Sequence, residues 1–252
     1  MRIFYKFMPR NIEVEIVQGI KIDADFSDLT FRATYWQGER FEYPTPLQLI
    51  EWLNTEQNPI FFDIGANYGF FSYMILSRIS GCTVFSFEPN PANFNCQLLS
   101  KKRNHLRLFY PFNIGLSDKE GTLVLHHGIE DLGHSTFVQH PGLTRSPITK
   151  AKVFAFDDWL EKFTPKINNF MGWVAKIDVE GFELKVLEGM SKSLSSQCFK
   201  GLVVEINPFT LNLAGVEGID VFNFMRKLGY YATNVIQDIE RSFVGNAFFE
   251  VK

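Results

Sequence analysis

Residues Ile60 to Phe71 read Ile-Phe-Phe-Asp-Ile-Gly-Ala-Asn-Tyr-Gly-Phe-Phe, and the fold turns on them. An apolar run ends in an acid, Asp63. A glycine turn follows, with Gly65 and Gly69 around Ala66 and Asn67. Apolar spacing then resumes through Phe70, Phe71, Met74 and Ile75. The pattern predicts a buried strand over 60–64, a tight loop and a helix over 68–79. Such a unit holds a nucleotide-like cofactor at the carboxyl end of its strand.

Downstream, strand and helix alternate. A strand over 82–87 ends at Glu88, and Asn90 and Pro91 suit the cap and first position of a helix running to about Lys102. Strand segments over 106–110 and 112–116 precede Ser117-Asp118. Two β segments are expected over 121–127 and 148–155. Asp157 and Asp158 open a short helix with Trp159, Leu160 and Phe163 facing inward. A strand over 172–177 ends at Asp178, and a helix from about Gly181 stops at Gly189. A strand over 202–206, a helix near 221–228 and β segments over 230–236 and 247–251 complete the pattern. Five apolar strands separated mostly by helices imply a parallel, doubly wound α/β sheet, and the last two strands must pair antiparallel.

Upstream, residues 1–45 read as short strands and turns, including Leu29 to Tyr35, and 46–54 as a helix with Leu47, Leu49, Ile50 and Leu53 in its stripe. Residues 1–57 are expected to form a cap or lid on a cofactor-binding core over 58–252, in a single domain.

A chain of 252 residues with 46% hydrophobic content can bury a sizeable core. A net charge of −3 leaves no electrostatic footprint for nucleic acid. The 27 phenylalanines supply core and could also line an apolar cleft. Cys82, Cys96 and Cys198 are odd in number and form no CxxC pair, which favours reduced thiols in a cytoplasmic protein over disulfides or a zinc site. Met1 to Arg10 lacks the apolar core of a signal peptide, and no run reaches membrane-helix length. Oligomeric state is not encoded in any pattern.

The glycine turn narrows the cofactor. A dinucleotide site wants G-x-G-x-x-G, and here Asn67 stands where the second glycine belongs; the Gly-Lys-Ser/Thr of a phosphate loop is also missing. Asp63 ahead of the turn would repel a pyrophosphate and suit a cation. S-adenosylmethionine carries a sulfonium and an ammonium and no phosphate, and its carboxylate can sit near the helix start at Asn67–Gly69. Glu88, 19 residues past Gly69, can accept both ribose hydroxyls, a feature shared with NAD sites; otherwise it is an exposed strand end. Ser117-Asp118 either meets an adenine amino group or forms a plain turn.

Asp63-Ile-Gly-Ala-Asn-Tyr-Gly, Phe87-Glu-Pro-Asn, Gly115-Leu-Ser-Asp, Phe156-Asp-Asp-Trp-Leu, Lys176-Ile-Asp-Val-Glu-Gly-Phe-Glu and Val204-Glu-Ile-Asn resemble, in order and spacing, the FkbM family of methyltransferases. The resemblance covers roughly residues 58–207, and Lys176–Glu183 with Leu187-Glu-Gly189 is its most specific part. It implies the class I methyltransferase (Rossmann-like) three-layer fold, a mostly parallel seven-stranded sheet of order 3-2-1-4-5-7-6 with an antiparallel final strand. It also implies O-methyl transfer from S-adenosyl-L-methionine to hydroxyls of sugars, glycans or natural products. By position, Asp63, Gly65, Ala66, Asn67 and Gly69 would surround the methionine end, Glu88 the ribose, and Ser117-Asp118 the adenine. The family's small-residue loop corresponds to Gly133–Thr136.

Methyl transfer needs the acceptor oxygen about 3 Å from the methyl and in line with the leaving group, and a base helps a weak hydroxyl nucleophile. Asp178 and Glu180, at the end of the fourth strand, are the candidate catalytic pair, Asp178 first. Each also has a bland reading, as a backbone hydrogen-bonding group or a helix-entry charge. Glu205 and Asn207 border the same crevice, and His126 and His134 could line the acceptor side. Asp178, Glu180 and Glu205 could converge on a divalent ion, though no metal is expected. The rivals are an NAD-dependent oxidoreductase and a non-catalytic module that keeps the fold.

Overall fold

The computed structural model describes residues 11–128, 135–139, 147–164 and 172–252. An antiparallel hairpin opens them, β1 (Asn11–Val17) and β2 (Ile20–Asp25). Residues 29–35, expected as a strand, instead form α1 (Leu29–Gln37). Asp28 decides this: its Oδ1 accepts the Phe31 N–H at 2.8 Å as an N-cap. Phe31 and Thr34 are the buried pair, a helical spacing, whereas Leu29 and Tyr35 of the misleading alternation are exposed. Next comes α2 (Thr45–Asn54), which buries Leu49, Trp52 and Leu53 and leaves Leu47, expected in the stripe, exposed.

The core follows as β3 (Ile60–Ile64), α3 (Phe70–Arg78), β4 (Thr83–Phe87), α4 (Pro91–Arg103) and β5 (Phe109–Phe112). Asn90 caps α4 as expected, its Oδ1 accepting the Ala92 N–H at 3.0 Å with Pro91 in the first turn. Beyond β5 the chain leaves the main sheet. The Asn113 side-chain amide donates to the Glu88 and Pro89 carbonyls at 2.8 and 3.2 Å, which turns the backbone outward. Then β6 (Gly115–Ser117), β7 (Gly121–His126) and β8 (Ile148–Ala155) build a separate sheet in the order β6-β8-β7. Ser117-Asp118 therefore does not end the main sheet's third strand; that strand is β5, which stops at Phe112.

The remaining elements are α5 (Phe156–Phe163), β9 (Trp173–Ile177), α6 (Glu183–Gly189), α7 (Ser191–Ser195), β10 (Phe199–Ile206), α8 (Pro208–Leu213), α9 (Gly218–Lys227), β11 (Tyr230–Ala232) and β12 (Gly245–Val251). In α5, Trp159 and Leu160 are buried but Phe163, expected inward, is exposed. The expected strand over 230–236 ends at Ala232, and a 3-10 segment, Gln237–Ser242, intervenes before β12.

The main sheet runs β11-β12-β10-β9-β3-β4-β5. The two pairings of β12, with β10 and β11, are antiparallel and the other four are parallel. Counting core strands along the chain, the order is 3-2-1-4-5-7-6 with strand 7 reversed, the class I methyltransferase arrangement. All five residues of β3 are buried, as a central parallel strand requires. Ile60, Phe62 and Ile64 face one apolar cluster, shared with β10, α6 and α9; Phe61 faces a second, shared with α2, α3 and the hairpin. Period-two alternation thus divides one run between two layers and makes the fold three-layered. Among the described residues no helix is long and apolar enough to cross a membrane.

Candidate active site

A cavity of about 230 Å³ opens at the carboxyl ends of β3, β4, β9 and β10. Asp63, Gly65, Ala66, Asn67, Glu88, Asp178 and Glu180 line it; Gly69, Ser117 and Asp118 do not. This is the crevice where an open α/β sheet takes its ligands.

The turn after β3 is built from left-handed backbone at Gly65 (φ 80°), Asn67 (φ 51°) and Gly69 (φ 88°). Gly65 is obligatory for a second reason: a Cβ there would lie 1.8 Å from the Asp178 carbonyl oxygen. The N–H groups of Gly65 and Ala66 both donate to the Phe87 carbonyl, at 3.0 and 3.1 Å, tying the turn to β4. Asn67 is turned toward α4, where its Oδ1 accepts from Asn93 Nδ2 at 2.8 Å and its carbonyl from Gln97 Nε2 at 2.7 Å. Its N–H donates to Glu88 Oε2 at 2.7 Å, and the Gly69 N–H donates to the Ala66 carbonyl. Of the amides expected to be free at the helix start, those of Asn67 and Gly69 are therefore taken within the turn. Phe70 and Phe71, whose N–H groups in the first turn of α3 have no intrahelical partner, both line the cavity.

Glu88 is buried, not an exposed strand end. Its Oε1 accepts the Asn90 N–H at 2.8 Å while Oε2 holds Asn67. Burial, only partly offset by those two bonds, pushes the carboxyl up to about 7. Asp63 is 2% exposed, and its Oδ2 accepts from the Ser72 N–H (3.0 Å) and Oγ (2.6 Å) in α3. Burial raises it to about 6. Asp63 thus anchors α3 to β3 as well as lining the cavity.

Ser117 is buried and its Oγ donates to Asp118 Oδ1 at 2.9 Å; Asp118 Oδ2 lies 3.5 Å from Lys185 Nζ on α6. The Ser117 carbonyl sits where a Cβ on Gly189 would come within 2.0 Å. These two residues join the small sheet to α6, and the cavity wall nearby is made by Gly115, Leu116 and Phe137.

Lys176 dominates the end of β9. It is 2% exposed in a central strand, with Nζ 2.6 Å from Asp178 Oδ2, 3.5 Å from Glu42 Oε2 and 4.5 Å from the centre of the Phe71 ring. Burial opposes its charge, but the Asp178 and Glu42 carboxylates more than reverse this and hold it above the usual lysine range. Asp178, Glu180 and Glu205 each bring a carboxylate oxygen within 4.8 Å of the others. The Asp178 charge, and then burial, lift Glu205 far above the ordinary carboxyl range. Glu180 has left-handed backbone (φ 53°), as does Gly181 (φ 96°). The loop is clamped by Glu183: its buried carboxyl accepts the N–H groups of Val179 at 3.2 Å and Gly181 at 3.1 Å. Burial pushes that carboxyl to about 8. Asn207, also on the wall, caps α8 with its Oδ1 on the Phe209 N–H at 3.1 Å.

Sequence reading missed Glu42, Asn93 and the wall from Thr30, Phe31, Thr34 and Phe41, and Gln97, which holds the Asn67 carbonyl without lining the cavity. Asn93 and Gln97, four apart on α4 and facing the strand ends, were the one findable signal; Glu42 carried none. His126 does not line the cavity, and Gly133 and His134 lie outside the described residues.

The model of the Methyltransferase FkbM domain matches residues 63–231. A curated relative, the hexuronic acid methyltransferase AglP of Haloferax volcanii, is 31% identical over 167 residues, 66% of this chain and 61% of that protein. The chain thus matches less than two thirds of that relative's length. Among solved structures, a SAM-dependent methyltransferase from Agrobacterium tumefaciens aligns with a TM-score of 0.49 at 9% identity, over 97% of this chain and 71% of the other. M. jannaschii TYW2, solved with AdoMet, aligns at 0.44 and 10%, over 97% and 88%. The family model spans well over half of the sequence, from the Asp63 turn through the Asp178 loop to β11, and the chain belongs to the FkbM-domain methyltransferase family.

Proposed function

We propose that the protein is an S-adenosylmethionine-dependent O-methyltransferase acting on a hydroxyl of a sugar or glycan. The observation that carries this reading is the placement of Asp178. It shares one cavity with the Gly65 turn and Glu88, and its carboxylate is held by a buried lysine at 2.6 Å. The sugar substrate in the name of the Haloferax relative supports a carbohydrate acceptor.

The residues present fit the cofactor. Gly65 leaves bare backbone at the turn because no Cβ fits there. Each Glu88 oxygen keeps a lone pair beyond its backbone bond, enough for two ribose hydroxyls. Leu116 and Phe137 give an adenine flat apolar surface, and the carboxylates of Asp63 and Asp178 favour a cation over a pyrophosphate. When bound, the cofactor supplies a methyl group already activated by its sulfonium leaving group.

Asp178 accepts the acceptor hydroxyl's hydrogen bond and takes its proton as the oxygen becomes bonded to carbon. Lys176 fixes the other oxygen and keeps Asp178 ionised. The Asp178 charge raises the Glu205 carboxyl, so the two acids favour sharing one proton over both being ionised. The Glu183 clamp fixes the loop that carries Asp178 and Glu180.

The deciding experiment is transfer of labelled methyl from S-adenosylmethionine to a panel of saccharides, beside calorimetric titration with the donor. Binding with incorporation is expected; no binding heat would sink the reading, and binding without transfer would leave a module that only holds the ligand. Asp178→Asn should bind donor normally and lose about 10²- to 10⁴-fold in kcat, the usual contribution of a positioned base. Full turnover in that variant would remove Asp178 from the chemistry.

A further inference from the structure

Glu42 lies in the front section, outside the residues 63–231 that the family model covers, yet it lines the same cavity as Asp178. Its carboxylate is held from below at one oxygen only. Oε2 receives Asn246 Nδ2 at 2.9 Å, from β12, and faces Lys176 Nζ at 3.5 Å, from β9. The backbone beneath is held too: Glu42 has φ 53°, its carbonyl accepts the Thr45 N–H at 2.9 Å, and Asn246 also donates to Thr45 Oγ1 at 3.0 Å. Oε1 takes no hydrogen bond among the described residues.

Glu42 and Asp178 thus share one ammonium, with Nζ–O distances of 3.5 and 2.6 Å. Their paired oxygens can lie no further apart than those two distances laid end to end. That sets the two carboxyl groups side by side on the cavity wall, and two hydroxyl groups on adjacent carbons, each about 2.8 Å from a carboxylate oxygen, suit neighbouring carboxylates of this kind. Resting on the methyl-transfer reading above, we propose that Glu42 is a specificity-determining residue: it binds the hydroxyl next to the one that is methylated, so the acceptor presents a vicinal diol. A held carboxylate discriminates here, because an acceptor lacking that hydroxyl leaves its second oxygen without a donor.

The test uses the full chain, labelled donor, and methyl glycosides of neutral hexoses with their monodeoxy analogues. In the wild type, deleting the hydroxyl beside the methylated one lowers kcat/KM about 10- to 100-fold, the range of a hydrogen bond to a charged group. Glu42→Gln, which keeps an oxygen for Lys176 and Asn246, raises KM for the intact acceptor by a similar factor. It loses little more on the deoxy analogue, and its S-adenosylhomocysteine affinity and melting temperature stay unchanged. Unchanged acceptor KM in Glu42→Gln, or losses that multiply on the deoxy analogue, overturns the assignment and leaves methyl transfer standing. No transfer to any glycoside by the wild type overturns the assignment and the proposed function together. Should Glu42→Gln fail to bind S-adenosylhomocysteine, Glu42→Asp replaces it; that variant keeps the charge but withdraws the oxygen, and unchanged KM there is equally fatal.

Discussion

Single residues in this site serve two partners at once, and that shapes their protonation. Asp63 lines the cavity yet is tied to Ser72, and Glu88 faces the cavity yet holds the N–H groups of Asn67 and Asn90. Burial lifts the first to about 6 and the second to about 7. A ligand with cationic groups and hydroxyl donors binds their ionised forms more tightly, so binding releases protons when the carboxyls are partly protonated. S-adenosylmethionine affinity is therefore expected to rise with pH through about 6 and about 7. The slope approaches about tenfold per pH unit for each proton released. Calorimetry in two buffers of different protonation enthalpy reads those protons; an affinity flat across the window would show that neither carboxyl titrates on binding. The positions of Asp63 and Glu88 were legible in the sequence because each ends an apolar run. Their protonation was not, since it depends on burial and on N–H groups contributed by other elements.

At the scale of elements, the loop between β9 and α6 matters most. Glu183, the first residue of α6, folds back onto the amides of Val179 and Gly181 and holds Glu180 in left-handed backbone. Glu183→Ala should cost about 1–3 kcal/mol, the penalty of buried donors left unpaired, and hydrogen exchange at Val179 and Gly181 should accelerate. Glu183→Gln keeps an oxygen between the two amides and should protect them; equal exchange in both variants would show that the clamp is not made by this side chain. The Lys176–Glu183 stretch was recognisable as a unit, but its acids look alike in the sequence. Only the fold separates Asp178 and Glu180 in the cavity from Glu183 beneath it. Two other elements were misread for local reasons. Alternation at Leu29–Tyr35 imitated a strand where the Asp28 cap starts a helix, and Asn113 diverted β6 into a second sheet.

Across the whole molecule, the sheet is held by aromatic packing centred on Phe62. Its ring meets Phe85 at 5.4 Å, Phe156 at 5.0 Å, Trp173 at 5.4 Å and Phe199 at 5.9 Å, drawing β4, α5, β9 and β10 onto β3. Phe62→Ala should destabilise the protein by about 3–5 kcal/mol through lost burial and the cavity left behind. Urea unfolding followed by tryptophan fluorescence would check this, Trp159 and Trp173 both lying in the affected cluster; a loss under about 1 kcal/mol would mean the neighbours collapse into the space.

The amino-acid sequence by itself determined the alternation of strand and helix, the reversed final strand, the glycine turn and the acids at the strand ends. Those are local: periodicity, caps and backbone freedom act over a few residues. Only the tertiary structure decided that Lys176 is paired with both Asp178 and Glu42, that the Asp178 charge raises the Glu205 carboxyl, and that Ser117 and Asp118 face α6 instead of the cavity. Each of these depends on which charges are buried together, and burial joins residues as distant in sequence as Glu42 and Asn246.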